Sequence, residues 1–84
     1  MRVIKFSKAG CAPCEQVTKY LEKTGIEYET VDPTETEDFD LILKHNIRAV
    51  PVTLLLDDEG EAIKRVVGFN EQGLQEIINK YKND

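Results

Sequence analysis

The apolar residues of this chain recur at two spacings, and the change from one spacing to the other predicts its strands and helices. Alternating or continuous apolar runs rich in β-branched residues are typical of strands, whereas spacings of three and four place side chains on one helical face. The pattern predicts strands at residues 2–6, 26–31, 52–56 and 62–67. The predicted helical stripes are Cys14, Val17, Tyr20 and Leu21 in the first helix, Phe39, Ile42 and Leu43 in the second, and Leu74, Ile77, Ile78 and Tyr81 in the third.

These elements follow one another in the order β-α-β-α-β-β-α. Two strands joined by a helix are expected to run parallel with a right-handed crossover, whereas the last two strands, joined by the short turn at residues 57–60, are expected to run antiparallel. We therefore predict an α/β fold with a four-stranded mixed sheet flanked by three helices. The run Val52–Leu56 (VTLLL) is apolar enough to be a central strand buried on both faces. Residues 1–84 are enough for a single domain.

The acidic charge balance excludes some classes of partner. The formal net charge is −5 over 84 residues, and the eleven basic residues are scattered along the chain. Nucleic-acid binding depends on clustered Lys and Arg, so it is not expected. No apolar run approaches the roughly 20 residues that span a bilayer, and the N-terminus lacks the features of a signal peptide. We expect a cytoplasmic monomer with no membrane or nucleic-acid partner.

The only two cysteines form the motif Cys11-Ala12-Pro13-Cys14 between the first strand and the first helix. A disulfide between them would close a very short loop. Such a loop stabilises a fold much less than a long one, so a structural role for the disulfide is not favoured. A zinc site needs four ligands, and His45 is the only other soft candidate, which argues against a metal site within one chain. The remaining metal alternative is a cluster shared between two chains, with an external thiol completing the ligand set. Redox chemistry is favoured because the pair lies at a strand-to-helix junction of a predicted βαβ unit.

The position of Cys11 favours the thiolate form of its side chain. The first amides of a helix have no internal partners and stabilise a negative charge placed beside them. Cys11 would therefore have a lowered pKa and a larger thiolate fraction at neutral pH. Cys14 lies one turn deeper, so Cys11 is predicted to attack a substrate disulfide and Cys14 to resolve the resulting mixed disulfide. Pro13 lacks an amide hydrogen, which is harmless in the first helical turn.

Two longer stretches resemble a known superfamily. The stretch FSKAGCAPC at residues 6–14 is similar to the glutaredoxin pattern Ser-Lys-x-Gly-Cys-x-x-Cys after the first strand. The stretch IRAVPVTLLLDDEGE at residues 47–61 resembles the thioredoxin pattern around its cis-proline, and Gly68 matches the glycine that ends the returning strand. The resemblance covers nearly the whole chain. It implies a thioredoxin fold in its short form, similar to the small redoxins of phages and prophages.

The resemblance also implies roles for individual residues. Cys11 would be the nucleophile and Cys14 the resolving thiol, with the disulfide between them as the redox centre and no other cofactor or metal. Pro51 would be the cis-proline, and the backbone of Val50 would bind an extended substrate segment. The remaining substrate-contacting residues are Lys8, Ala12, Pro13, Gly68 and Phe69.

Departures from the two family patterns narrow the predicted function. Lys5 stands where thioredoxins bury an acid. A lysine there could shuttle protons to Cys14, but we expect it to point to solvent or to a helix edge. Residues 49–51 read Ala-Val-Pro where glutaredoxins have Thr-Val-Pro, and Phe69-Asn70 replaces their later glutathione-gripping motif. The predicted function is therefore a thiol-disulfide oxidoreductase that reduces protein disulfides and takes electrons from an upstream reductase. Ribonucleotide reductase is one candidate target. The alternatives are a glutathione-dependent glutaredoxin and a metal-linked or regulatory binding module.

Overall fold

Four strands and three helices follow one another in the predicted order in the computed structural model of the chain, which describes residues 1–83. Their bounds are β1 Arg2–Phe6, α1 Ala12–Thr24, β2 Glu29–Val31, α2 Phe39–Lys44, β3 Val52–Leu56, β4 Ala62–Val67 and α3 Glu71–Lys82. None of the helices in this part of the chain has the length and apolar character needed to cross a bilayer.

The strands form one mixed sheet in the order β2-β1-β3-β4. As predicted, β1 and β2 run parallel and β3 and β4 run antiparallel. β3 also runs antiparallel to β1. Phe6 pairs with Val31 on one side and with Val52 on the other, and Val52 pairs with Val67. The carboxyl ends of β1, β2 and β4 therefore meet the start of β3 at one edge of the sheet, and we call this edge the active edge.

The five residues of β3 are all buried, which confirms the prediction of a central strand covered on both faces. Their side chains alternate between two cores. The α1/α3 core comprises Val3, Val17, Leu21, Ile26, Leu55, Val66, Leu74, Ile77 and Ile78. The α2 core, on the opposite face, comprises Ile4, Phe6, Ile47, Val52, Leu54 and Leu56, with Leu41 and Ile42 packed against it. Helices on both faces explain why VTLLL contains no charged residue.

The second strand is shorter than predicted, and the second helix has only six residues. β2 spans only Glu29–Val31, and α2 begins at Phe39 with Asp38 as its N-cap. Thr34 does not cap the helix, because its amide and hydroxyl both donate to the Asp32 carboxylate, at 2.8 and 2.6 Å, in a local turn. Thr36 likewise accepts from the Asp38 amide at 3.1 Å, outside the helix.

The predicted apolar stripe of α2 is wrong for two of its three residues. Phe39 and Leu43 are 66% and 76% exposed, whereas Ile42 packs against the α2 core. A helix of six residues has fewer than two turns. It therefore reaches the sheet through one narrow stripe, formed by Leu41 and Ile42, and leaves the other apolar side chains in solvent.

Candidate functional site

The topology brings the predicted site residues to the active edge of the sheet. Cys11 follows the end of β1, Pro51 precedes the start of β3, and Gly68 follows the end of β4. The Gly68 amide donates to the Pro51 carbonyl at 2.8 Å, which joins the last two segments directly. Gly68 has a φ of 74°, a backbone conformation that glycine adopts without steric cost.

Cys11 and Cys14 are joined by a disulfide, with Cα atoms 5.2 Å apart. Cys11 is the N-cap of α1, and the Cys14 amide donates to the Cys11 Sγ at 3.2 Å. Pro13 lies in the first turn of α1, where an amide hydrogen has no partner within the helix. The sulfur of Cys11 therefore occupies the position at which a helix N-terminus stabilises negative charge.

The two sulfur-bearing residues differ in their access to solvent. Cys11 retains 9% of its exposure and Cys14 only 2%, while Ala12 and Pro13 between them are exposed. A partner that approaches the active edge therefore meets Ala12, Pro13 and Cys11 before it can reach Cys14.

The Val50–Pro51 peptide bond is cis, as the resemblance implied. Pro51 is buried and Val50 is half-buried, with its side chain packed against the α2 core. Within residues 1–83, neither the amide nor the carbonyl of Val50 has a hydrogen-bond partner in the protein. Such unpaired backbone groups beside a strand end can pair with an extended chain.

Phe69 lies next to this edge but contributes to the core as well. Its ring packs against the α1/α3 core and meets Tyr20 edge-to-face, with ring centroids 6.4 Å apart. Tyr20 is itself held by a 2.7 Å hydrogen bond from its hydroxyl to Gln75 on α3. Phe69 therefore packs against the α1/α3 core just after the end of β4, and only the solvent-exposed part of its side chain is free to border a substrate.

Lys8 lines a separate cleft beside Val50. This cleft has a volume of about 150 Å³, and its other polar lining residues are Thr34 and Arg48. Hydrogen bonds from Thr34 lower the pKa of Asp32, and the charge of Lys8 acts in the same direction. Two cationic side chains, Lys8 and Arg48, thus face a cleft that adjoins the active edge.

The prediction that Lys5 points to solvent or a helix edge is wrong. Lys5 is only 4% exposed, because β1 is an inner strand and its alternation places Lys5 on the face covered by α1. Its Nζ donates a short hydrogen bond to the Thr18 hydroxyl and lies 5.2 Å from the centre of the Tyr28 ring. Burial lowers the pKa of Lys5, and the Glu22 carboxylate opposes this effect.

Residues 1–83 contain no cluster of three or more His, Cys, Asp or Glu side chains arranged to hold a metal ion. His45, the one histidine, is the C-cap of α2 and is 8% exposed. Its carbonyl and that of Asn46 accept hydrogen bonds from the Arg65 guanidinium. His45 is thus part of the end of α2 and is not brought together with the cysteine pair.

Comparisons with known proteins agree with this arrangement. The glutaredoxin family model matches residues 3–60. The SPbeta prophage-derived thioredoxin-like protein YosR of Bacillus subtilis is 39% identical over 82 residues, which cover 98% of this chain and 100% of that protein. The Gene 56 protein of Mycobacterium phage L5 is 32% identical over 81 residues, which cover 94% of this chain and 74% of that protein.

Solved structures show the same fold. The crystal structure of the thioredoxin of Malassezia sympodialis superposes with a TM-score of 0.76 at 28% identity, covering 93% of this chain and 71% of that one. In this chain the mixed sheet has helices on both of its faces, and the Cys-x-x-Cys pair lies at the start of a helix. The chain therefore belongs to the glutaredoxin family within the thioredoxin superfamily, as a short, thioredoxin-like dithiol-disulfide oxidoreductase.

Proposed function

We propose that this oxidoreductase reduces disulfide bonds in protein substrates, with Cys11 as the nucleophile and Cys14 as the resolving thiol. The observation that carries the proposal is the 3.2 Å contact between the Cys14 amide and the Cys11 Sγ at the N-terminus of α1. This contact favours the thiolate on Cys11, the more exposed of the two sulfurs.

The reaction transfers one disulfide from the substrate to the enzyme. The Cys11 thiolate attacks a substrate sulfur, a bond forms between the two sulfurs, and the second substrate sulfur leaves as a thiolate that takes up a proton. The Cys14 thiol then loses its proton to solvent and attacks the Cys11 sulfur. The Cys11–Cys14 disulfide forms, and the substrate is released with both of its sulfurs reduced.

The active edge supports a protein substrate because it offers backbone groups to an extended segment. The unpaired amide and carbonyl of Val50 can add one stretch of substrate to the edge, in the manner of an additional strand. Pro51, Gly68 and the exposed part of Phe69 then border that segment, and Ala12 and Pro13 border its disulfide.

Insulin reduction with dithiothreitol as the electron donor tests the assignment of the two cysteines. Cys11→Ser is expected to abolish turnover and to trap no substrate. Cys14→Ser is expected to lose turnover as well but to accumulate a mixed disulfide through Cys11, visible as a mass increase that reductant reverses. Equal trapping by both variants would contradict the proposed roles, and turnover by Cys11→Ser would contradict the reaction itself.

The electron donor is tested by comparing two coupled assays. Oxidation of NADPH through a thioredoxin reductase is expected with this protein as the acceptor, because the glutathione-contacting pattern is only partly kept. A ribonucleotide reductase disulfide is the first protein target to examine with the protein reduced in this way. Turnover only with glutathione and glutathione reductase would overturn the choice of donor while leaving the cysteine roles intact.

A glutathione-dependent reaction is the second candidate, and the cleft beside Val50 favours it. Lys8 and Arg48 could bind the carboxylates of a small anionic disulfide in this space of about 150 Å³. If this candidate is correct, Lys8→Gln and Arg48→Gln should each raise the KM for a glutathione mixed disulfide more than the KM for insulin. Absence of any glutathione-coupled rate above background would remove the candidate.

A further inference from the structure

We propose that Lys5 is a positioning residue whose ammonium group, held through Thr18, stabilises the Cys14 thiolate in the resolving step. This inference rests on the proposed role of Cys14 as the resolving thiol. It assigns a function to a buried cation that the fold itself does not require, since an apolar residue at this position of β1 would fit the α1/α3 core.

A chain of contacts connects Lys5 with Cys14. Lys5 Nζ donates to the Thr18 hydroxyl, and the same hydroxyl donates to the Cys14 carbonyl at 3.1 Å. Cys14 and Thr18 are four residues apart on α1, so their side chains lie on one face of the helix, one turn apart. The ammonium group is therefore anchored one helical turn from the resolving sulfur.

The ammonium group of Lys5 has no counter-ion within residues 1–83. Lys5 is 4% exposed, yet it makes no ion pair with any carboxylate in residues 1–83. Its contacts are the Thr18 hydroxyl and the face of the Tyr28 ring, and Glu22 on α1 acts on it only at a distance. A buried charge without a partner is costly. A negative charge on Cys14 in the reduced protein would offset the free energy that burial of the Lys5 ammonium group costs.

The hydroxyl of Thr53, which lies beside Lys5 in the sheet, has no hydrogen-bond partner in the described part of the chain. Thr53 on β3 pairs directly with Lys5 on β1, so the two side chains share the face of the sheet beneath α1. The Thr53 Oγ1 is buried and lacks a hydrogen-bond partner in the described part of the chain. Lys5, Thr18 and Thr53 thus form a polar cluster that has unused hydrogen-bonding capacity in the oxidised state.

The chemistry of the resolving step explains what this cluster does. Cys14 is 2% exposed, and burial of a thiol in apolar surroundings raises its pKa and suppresses the thiolate that must attack. A fixed positive charge counteracts this effect. When the Cys14 thiol has given its proton to solvent, the thiolate attacks the Cys11 sulfur and the bond between Cys11 and the substrate breaks. Lys5 itself neither gains nor loses a covalent bond.

The test uses Cys11→Ser, in which Cys14 is the only thiol. The thiolate absorbance and the alkylation rate are followed against pH in this background, with Lys5 intact or replaced. Lys5→Met is expected to raise the apparent pKa of Cys14 by about one unit, which is about a tenfold loss of thiolate at neutral pH. The reason is that a nearby positive charge favours the thiolate, and one unit is at the low end of the shifts of about 1–3 units that such charges cause. Lys5→Arg should restore most of the shift.

Lys64→Met is the matched control, because it removes one lysine charge from β4, where Lys64 pairs with Glu76. It should leave the Cys14 titration unchanged. If circular dichroism shows that Lys5→Met does not fold, two measurements on proteins that retain Lys5 test the inference instead. Thr18→Val should raise the Cys14 pKa by releasing the ammonium group, and the Lys5 side-chain resonances of the Cys11→Ser protein should move as Cys14 ionises.

An unchanged Cys14 titration in folded Lys5→Met would overturn the inference. So would Lys5 resonances that do not respond to the ionisation of Cys14. Both outcomes are separate from a failure of the proposed function, which is read from insulin reduction and from the trapped mixed disulfide. In the otherwise natural chain, Lys5→Met should slow release of the substrate from the mixed disulfide and move its pH profile upward, while formation of the mixed disulfide keeps its rate.

Discussion

The Cys11 side chain caps the helix that follows it, and the proposed reactivity of Cys11 depends on this contact. A helix N-terminus stabilises a negative charge by up to about 2 kcal/mol in partly buried geometry, and one pKa unit corresponds to about 1.4 kcal/mol. We therefore predict that Cys11 in the reduced Cys14→Ser variant titrates about one unit below the ~8.5 of a free thiol. The pH dependence of its alkylation rate measures this value. The same variant unfolded in guanidinium is the control, and identical midpoints in the two states would contradict the prediction.

His45 is a second residue whose protonation should affect the protein. Burial lowers the pKa of His45 in the folded state, and Lys44 and Arg65 add to this lowering against the opposing charge of Glu61. Above the unfolded value of about 6.5 both states are neutral and the stability is complete. As the pH falls below that value, the unfolded state binds the proton first, so the free energy of unfolding decreases until the folded pKa is passed.

The resulting prediction compares the natural protein with His45→Gln by urea denaturation at several pH values. The natural protein should lose more stability than the variant between pH 7.5 and pH 5, by about 1.4 kcal/mol for each unit of the shift. Carboxylates that titrate in this range affect both proteins equally and cancel in the difference. A constant difference in the free energy of unfolding across the range would show that His45 is not responsible.

At the scale of elements, α3 packs unusually close to β4 at Gly73. A Cβ atom at this position would lie 2.9 Å from Cγ2 and 3.2 Å from Cγ1 of Val66. Alanine would gain at most about 1 kcal/mol of helix propensity, whereas overpacking costs about 1–3 kcal/mol. We predict that Gly73→Ala lowers the free energy of unfolding by up to about 2 kcal/mol. In the Val66→Ala background the same substitution should be neutral or stabilising, and an equal loss in both backgrounds would contradict the packing argument.

How well each element could be predicted depends on how much local information its residues carry. The apolar run VTLLL and the helix that begins at the cysteine pair were predicted correctly, because burial on both faces and an N-terminal cap leave direct signals in the sequence. α2 was predicted less well. The acidic and hydroxyl residues that precede it, 34–38, fit cap and turn patterns equally well. In the structure Thr34 forms a turn with Asp32, and Asp38 caps the helix.

Lys5 shows a different limit of sequence reasoning. A lysine in a strand is ordinarily exposed, and its burial follows from the position of β1 inside the sheet and from the helix placed over that face. Thr18 and Thr53 carry no sequence signal as partners of Lys5, because one comes from the next helix and the other from an antiparallel strand 48 residues away in the register Lys5↔Thr53. Only the assembled fold brings the three together beneath the cysteine pair.

For the molecule as a whole, the sheet connects two cores that cannot come apart independently. Adjacent residues of β3 point to opposite faces, with Leu54 in the α2 core and Leu55 in the α1/α3 core, and both are fully buried. Unfolding of either core would expose one face of the same central strand to solvent. We therefore expect residues 1–84 to unfold as one cooperative unit, in keeping with the predicted single domain.

Leu54→Ala and Leu55→Ala test this expectation together. Each should cost about 2–5 kcal/mol, a large part of the total stability of a domain of this size, which is on the order of 4–12 kcal/mol. Because the cores share β3, each variant should shift a single urea transition, with far-ultraviolet circular dichroism and tyrosine fluorescence still coincident. Leu43→Ala, at a position 76% exposed, is the control and should change stability by less than about 0.5 kcal/mol. A second transition in Leu54→Ala alone would mean that the α2 face melts separately, and the single cooperative unit would have to be abandoned.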